Sequence, residues 1–389
     1  MKNLSKKEKI ILFIVSIVAI LIRLIWINGE SGDYIGFLEP WVLKIRELGG
    51  FNALKYNIGD YNVPYMVILT FISFFKFKPL YLIKLVSIIF DFICAYYGAK
   101  IVDKVTNNKL SSLITYAAIL FLPTVIINGS LWGQCDSIYT SFILISIYYL
   151  LDEKYIRSFI FLGFSFAFKL QFMFILPLYV LLFFRNKKIK WWYFLLIPLV
   201  NIILCLPAIF SGRSIVDVLT IYLNQTGTYK DLVLNFPNLY NLIQSDLLFA
   251  FSHNHIISKI GIVVTLFIFA IMWLYVLIKK VNFNSEKIIT VGLWSVMIAT
   301  YFLPRMHDRY LFAGDILSVI FFMIIQKKFY IPISVNIVST ITYFYFLFRI
   351  NIIDFNLLSI IYFIVIVMFT LYTFKLLGEN NEIRKRKMG

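Results

Sequence analysis

Two Gly-Asp-Tyr strings place a carboxylate beside a glycine turn near the amino terminus. The first is Gly32-Asp33-Tyr34 and the second is Gly59-Asp60-Tyr61. A carboxylate just beyond the first apolar segment, at a partly dry boundary, suits a general base that takes a proton from an acceptor hydroxyl. An aspartate that caps a loop turn is the alternative interpretation. The pattern therefore makes Asp33 a candidate base.

A second group of candidate residues lies in the string Trp132-Gly-Gln-Cys-Asp-Ser137, between two apolar runs. Trp132, Gln134 and Asp136 offer an aromatic face, an amide and a carboxylate, which together suit a sugar. Asp136 or Ser137 also suits the N-cap of the helix that follows, because such a side chain accepts a bond from a backbone N–H. Capping and substrate binding are compatible, and both hypotheses stand.

A third group lies in the string Pro304-Arg-Met-His-Asp-Arg-Tyr310, which holds two guanidinium groups and an imidazole within five residues. Arginine grips phosphate in a planar geometry with two parallel hydrogen bonds. Arg305, His307 and Arg309 are therefore candidate phosphate ligands. An ordinary solvated loop is the alternative.

Lys169 and Gln171 interrupt an otherwise apolar run. Lys169 either extends its ammonium to the membrane interface or lies as a buried cation close to a phosphate. The second interpretation is the more specific, because polar residues at membrane depth are costly and usually functional. The three cysteines, Cys94, Cys135 and Cys205, are scattered in or beside apolar runs, so their spacing predicts neither a disulfide framework nor a metal site.

The composition excludes a water-soluble enzyme. Of the 389 residues, 61% are apolar and 15% are charged, against about 45–50% and about 25% in soluble domains. The net charge of +17 does not predict nucleic-acid binding, since the basic residues cluster at the ends of apolar runs, as in positive-inside membrane proteins. No nucleotide-binding glycine motif is present, so a membrane transferase of this kind needs a donor that arrives in the lipid.

The apolar content is enough for about ten to twelve spans of about 20 residues each. Lysine and arginine in the short loops of the second half and in the tail 384–387 place both termini in the cytoplasm. Two topologies remain for the first half. Either 63–77 spans the membrane and 156–184 crosses once, or 63–77 is a juxtamembrane helix on the outer face and 156–184 is a hairpin with Lys169 near its outer tip. We prefer the second, which brings all the polar clusters to the outer face as one site.

The order of these motifs, together with the string Leu234-Asn235-x-Pro237-Asn238-Leu239-Tyr240, resembles the GT-C class of integral-membrane glycosyltransferases. Within that class it resembles the bacterial family similar to the second mannosyltransferase of glycosylphosphatidylinositol-anchor synthesis. The resemblance implies an all-α polytopic GT-C fold with about 11–13 transmembrane helices and juxtamembrane helices in the first outer loop. It also implies inverting transfer of a hexose from a polyprenyl-phosphate donor to a glycan or glycolipid acceptor, in cell-wall or surface glycosylation at the plasma membrane.

The residue chemistry and the resemblance together assign roles to residues and segments. Asp33 is the expected catalytic base. The candidate phosphate ligands are His307, Arg309, Arg305 and Lys169. The candidates for binding the sugar or the acceptor are Asp60, Tyr61, Trp132, Gln134, Asp136, Gln171, Asn235, Asn238 and Asp308. Asp308 departs from the glutamate that is more usual in the family, which puts its role in question. No cofactor is implied, and a divalent metal is left open without being required.

Three segments follow from the resemblance. Residues 1–210 form the catalytic module, with a first outer loop at 28–80 and the hairpin 156–184. Residues 211–255 form an external loop on the acceptor side, and residues 256–389 form a variable transmembrane part that carries the motif 304–310. A transporter or flippase of lipid-linked saccharides is the competing function. It would show polar residues along a path through the bilayer and internal repeats, whereas here the polar clusters gather at one face.

Overall fold

A computed structural model of the protein describes residues 5–226, 231–243 and 247–379. The basic tail 384–387, on which the orientation of the carboxyl terminus depends, lies outside these residues. The described chain is almost entirely helical, as predicted. Its first helices are α1 (Lys6–Ile25), α2 (Glu39–Glu47), α3 (Val63–Ser73), α4 (Pro79–Thr106), α5 (Lys109–Phe121), α6 (Pro123–Ile126), α7 (Asp136–Leu151) and α8 (Tyr155–Phe168).

The helices that follow are α9 (Leu176–Arg185), α10 (Leu196–Phe210), α11 (Ile215–Thr226), α12 (Leu239–Ile243), α13 (Leu247–Ile278), α14 (Ser285–Phe302), α15 (Phe312–Ile325), α16 (Tyr330–Phe348) and α17 (Phe355–Gly378). Turns of π-helix occupy Tyr34–Leu38 and Ile127–Trp132, and turns of 3-10 helix occupy Gly50–Lys55, Leu170–Phe174 and Trp191–Leu195. Two short strands, β1 (Val233–Leu234) and β2 (Met306–His307), complete the described elements.

Five helical segments of the described chain are long and apolar enough to cross a membrane: Pro79–Thr106, Trp191–Phe210, Asn254–Ile278, Tyr330–Phe348 and Phe355–Gly378. A sixth is present if α5 and the segment Pro123–Trp132, which meet at a bend of 52°, count as one broken span. Helix length and hydropathy thus indicate a multi-pass protein that associates with a lipid bilayer. Other apolar helices, such as α7 and α8, are shorter.

The two ambiguous runs of the first half are both interrupted. Helix α3 has 11 residues and is therefore about 16 Å long, which is well short of a hydrocarbon core of about 30 Å. By itself α3 does not span. The run 156–184 is divided into α8 and α9, and the break begins at Lys169, whose backbone is extended. The break lies at the residue where the hairpin topology predicts the tip of the hairpin.

The chain forms two compact units. The first comprises residues 1–172 and 192–229, and the second comprises residues 173–191 and 230–389. In the first unit the segment 28–80 contributes Val42, Ile45, Leu54 and Leu69 to an apolar core that it shares with residues of α10 and α11. The division of the sequence at 210 and 255 is a functional one and stays a prediction.

Local signals explain where the helices of the first unit begin and end. Asn62 caps α3, because its side chain accepts a hydrogen bond from the backbone N–H of Val63. Pro79 is the first residue of α4, where a proline costs no intrahelical hydrogen bond. Asn107 ends α4 in the left-handed conformation.

Candidate functional site

The Asp33 carboxylate is half-buried and held by two N–H donors. Its Oδ2 atom accepts hydrogen bonds from Trp132 Nε1 at 2.9 Å and from Gln134 Nε2 at 2.5 Å. Both donor side chains are buried, with exposed fractions of 0% for Trp132 and 3% for Gln134. Hydrogen bonds to an ionised group are among the stronger ones in proteins. The two donors therefore fix the orientation of this carboxylate.

The Gln134 amide is itself oriented by Tyr61. The Tyr61 hydroxyl donates to Gln134 Oε1 at 2.9 Å, so the amide N–H groups point the other way, toward Asp33. The structure thus joins three candidates from separate parts of the sequence into one chain of hydrogen bonds, Tyr61 to Gln134 to Asp33. Spacing along the sequence could not reveal this order, because the bonds span 73 and 101 residues.

Backbone geometry explains how Trp132 and Gln134 reach the same oxygen. The π-helical turn Ile127–Trp132 ends at Gly133, whose φ of +74° lies in the left-handed region that favours glycine. This turn redirects the chain before α7 begins at Asp136. Ser31, two residues before Asp33, donates through Oγ to the Trp132 carbonyl at 2.7 Å. The loop with the carboxylate and the loop with its donors are therefore tied together by backbone as well as side-chain contacts.

Asp136 and Lys169 form a buried ion pair. Lys169 Nζ lies 2.5 Å from Asp136 Oδ1, and the side-chain exposures are 7% and 0%. Asp136 Oδ2 accepts a further bond from Asn128 Nδ2 at 2.9 Å, and the Lys169 ammonium lies 5.6 Å from the centroid of the Tyr61 ring. Helix α7 begins at Asp136, so the N-cap position belongs to Cys135 and not to Asp136 or Ser137. The Cys135 side chain makes no capping hydrogen bond. The Asp136 carboxylate thus neutralises the cation that interrupts the apolar run.

Two further candidates of the first unit lie apart from these bonds. Asp60 is exposed, and its backbone carbonyl accepts a hydrogen bond from the Gln225 side chain. Gln171 lies on the 3-10 turn Leu170–Phe174 and is half-buried, and its Oε1 atom has no hydrogen-bond partner. Tyr34, next to the candidate base, is fully buried, and burial and the adjacent Glu39 carboxylate raise its pKa, so its hydroxyl remains a donor to Glu39.

The arginine-rich candidates lie in the second unit, where strand pairing holds them. Strands β1 and β2 run parallel, with Leu234 opposite His307, and Asn235 forms a bridge to His307. The Asp308 backbone N–H donates to the Leu234 carbonyl at 3.1 Å. This pairing brings the string that contains Asn235 against the string 304–310, although more than 60 residues separate them in the sequence.

Backbone conformation and burial describe this segment further. Asn235 and Arg305 have φ values of +61° and +62°, in the left-handed region that six other non-glycine residues of the described chain also occupy. Asp308 is fully buried, and its Oδ1 lies 3.5 Å from Arg309 Nη1. Asn238 is also fully buried and caps α12 by accepting from the Tyr240 backbone N–H.

The sequence interpretation missed three charged residues of the first unit that the structure buries completely: Arg23, Lys84 and Asp91. Each lies inside an apolar run, so the rule that singled out Lys169 also applies to them. Among the described residues, no group of three or more His, Cys, Asp or Glu side chains is placed to hold a metal ion.

No protein-family model matches this chain, and no curated protein matches it either.

Proposed function

We propose that this protein is a membrane glycosyltransferase of the GT-C class. It moves a hexose from a polyprenyl-phosphate donor to a glycan or glycolipid acceptor, with inversion at the anomeric carbon. The observation that carries the proposal is the Asp33 carboxylate, which follows the first apolar helix and is held by Trp132 and Gln134. A polar group fixed in this way beside candidate membrane spans suits proton transfer in a lipid-linked reaction.

The proposed reaction needs one base. The acceptor hydroxyl gives its proton to Asp33 while its oxygen attacks the anomeric carbon. The bond between that carbon and the phosphate oxygen breaks, and polyprenyl phosphate leaves with the electron pair. Phosphate leaves without protonation, whereas a glycosidase that expels a sugar alkoxide needs a second carboxyl as general acid. This chemistry explains why a single oriented carboxylate suffices.

We further propose that three side chains of the segment 304–310 bind the donor phosphate. Arg305, His307 and Arg309 lie in one short segment that pairs with β1, and arginine suits the geometry of phosphate. Lys169 is the fourth candidate ligand, and the Asp136 carboxylate pairs with its charge. We assign Asn235, Asn238, Asp308, Asp60 and Gln171 to the sugar or the acceptor, and the 11–13 transmembrane helices of the GT-C fold would include the shorter apolar helices.

We place the reaction on the outer face of the plasma membrane. A cysteine introduced by Gly32→Cys, at an exposed position next to Asp33, in a variant that lacks Cys135, should react with an impermeant thiol reagent added outside intact cells. A cysteine next to Lys104 should react only after the cells are opened. The reverse pattern would contradict the outer-face assignment.

The function is tested with membranes that contain the protein and polyprenyl-phosphate mannose, glucose or galactose, labelled in the sugar. We expect one of these donors to lose its label to an acceptor, with one polyprenyl phosphate released per hexose transferred. A transporter would instead move the labelled lipid across the membrane intact. Trp132→Phe, which removes the indole N–H together with part of the buried ring, should slow transfer at least about 10-fold, since a hydrogen bond to a charged group contributes about 1.5–3 kcal/mol.

A further inference from the structure

Helix α4 carries a face of buried polar side chains. Lys84, Ser87 and Asp91 are spaced by three and four residues and therefore lie on one side of the helix, with exposed fractions of 0%, 1% and 0%. This face is unusual because α4 is one of the segments long and apolar enough to cross a membrane, where buried polar groups are costly. Each of the three side chains has a defined partner.

Lys84 holds the end of the first helix. Its ammonium donates to the carbonyls of Trp26 at 2.8 Å, Ile27 at 3.1 Å and Gly29 at 2.6 Å. Trp26 is the C-cap of α1, at the negative end of the helix dipole, and Ile27 and Gly29 lie in the turn that follows. One cation therefore fixes three carbonyls in the segment that ends four residues before Asp33.

Ser87 binds the segment that carries Trp132 and Gln134, the hydrogen-bond donors to Asp33. Its Oγ atom donates to the Gln134 carbonyl at 2.6 Å, and its own carbonyl accepts a bond from Ser137 Oγ at 3.0 Å. The Gln134 backbone is thus anchored to α4, one turn from the position where Lys84 anchors the end of α1.

Asp91 completes the polar face with a buried ion pair. Its Oδ2 atom lies 3.1 Å from Arg23 Nε, and neither side chain is exposed. Arg23 also donates to the carbonyls of Ala19 and Leu120. A Cβ atom at position 129 would lie 2.9 Å from Asp91 Oδ2, so Gly129 lets the turn before Trp132 approach this pair closely. The pair therefore joins α1 to α4, and the absence of a side chain at Gly129 leaves room for the turn that carries Trp132.

From these contacts we infer that the polar face of α4 is a positioning platform, which sets the distance between the Asp33 loop and the Gln134 loop. Lys84 and Ser87 bind backbone carbonyls, and they act on the Asp33 carboxylate and the Gln134 amide through those two backbones. The inference rests on the proposed function only in treating Asp33 as the base. Apolar side chains would also pack α4 against its neighbours. They make no directed bonds, however, and would not fix the orientation of the two loops or their positions along α4.

The platform is tested without measuring transfer. Asp33→Cys and Gln134→Cys are combined in a chain whose native cysteines are replaced by Cys94→Ser, Cys135→Ala and Cys205→Ala. The rate of cross-linking by a short thiol-to-thiol reagent then reports how often the two loops are in place. Lys84→Met and Ser87→Ala are added in turn, and Lys76→Met, at an exposed position just before α4, is the matched control.

We expect Lys84→Met to slow cross-linking about tenfold or more, since it removes three hydrogen bonds from a charged group. Ser87→Ala, a small change that α4 tolerates, should slow it about 2- to 10-fold. Lys76→Met should leave the rate unchanged. In chains that retain Asp33 and Gln134, Lys84→Met should lower the turnover of bound donor with little change in donor affinity.

Unchanged cross-linking in both Lys84→Met and Ser87→Ala would overturn the platform, whatever the transfer assay shows. Slower cross-linking in both variants, together with no hexose transfer by the wild-type protein, would leave the platform standing and refute the proposed function. The two claims therefore fail separately.

Discussion

The buried ion pair between Asp136 and Lys169 has an exposed counterpart in the same unit, which allows a controlled test. Lys169 Nζ lies 2.5 Å from Asp136 Oδ1, with side-chain exposures of 7% and 0%. Lys104 Nζ lies 2.6 Å from Asp152 Oδ1, with exposures of 31% and 23%. The two contacts have nearly the same length and differ in burial. Asp152 also pairs with Lys154, so Lys104→Met leaves a partly exposed carboxylate with one cation, whereas Lys169→Met removes the cation of a buried carboxylate.

Lys169→Met keeps the length of the side chain but leaves the Asp136 carboxylate buried without its cation. Removing one partner of a buried pair costs about 3–5 kcal/mol, whereas an exposed pair contributes about 0–1 kcal/mol. In a domain of about 150–250 residues, 1 kcal/mol shifts the melting temperature by about 2–4 °C. We therefore expect a fall of roughly 6–20 °C for Lys169→Met and of less than about 4 °C for Lys104→Met.

The assay is thermal unfolding of the purified protein in detergent, followed by tryptophan fluorescence. The double variant Lys169→Met/Asp136→Asn should recover most of the lost stability, because an amide needs no buried counter-charge. Equal melting temperatures for Lys169→Met and Lys104→Met would refute the reasoning, since they would show that the Asp136 carboxylate is solvated. Failure of the double variant to recover would show that Lys169 stabilises the fold through other contacts.

Three other results are expected. Hydrogen bonds from Lys104 and then Lys154 hold the pKa of Asp152 at about 2, below the value of about 3.9 for an unfolded chain. Its contribution to stability is therefore present above pH 4 and lost as the pH falls to about 2, so the melting temperatures of wild type and Asp152→Asn should converge over that window; a constant difference would contradict the ion pair. Arg309→Ala should weaken binding of a polyprenyl-phosphate hexose about 30-fold or more and acceptor binding much less, and an equal loss of both would indicate misfolding. Arg23→Met should destabilise the protein by about 3–5 kcal/mol, and adding Asp91→Leu should restore the melting temperature; no recovery would show that the carboxylate is not the cause.

The helical class and the position of the helix break could be predicted from composition and from the apolar runs. Hydropathy is a local property of the sequence. Lys169 marks the break because a cation inside an apolar membrane segment is energetically costly. Asp33 could also be singled out from local sequence, because it lies beside a glycine shortly after the first apolar run. Its hydrogen-bond donors lie about 100 residues away, so motif order could suggest their presence but not their contact.

The pairing of the buried charges could not be predicted, because it depends on which helices touch. The sequence makes Asp136 a candidate cap or sugar ligand and Lys169 a candidate phosphate ligand. Their ion pair joins residues 33 positions apart and is a property of the packing of α7 and α8. The link between Arg23 and Asp91 joins α1 and α4 across 68 positions. Recognising each charge inside its run was possible from the sequence, but assigning its partner required the fold.

The central claim is that Asp33 is the base of a hexosyl transfer, and a single-turnover experiment tests it most directly. Purified wild-type protein, Asp33→Asn and Asp136→Asn are each saturated with the polyprenyl-phosphate hexose that supports transfer, and cleavage of the bond between sugar and phosphate is timed after acceptor is added. We predict that Asp33→Asn binds the donor with nearly unchanged affinity and cleaves it about 100- to 10,000-fold more slowly, and that Asp136→Asn is impaired less completely. Cleavage by Asp33→Asn at the wild-type rate would contradict the claim.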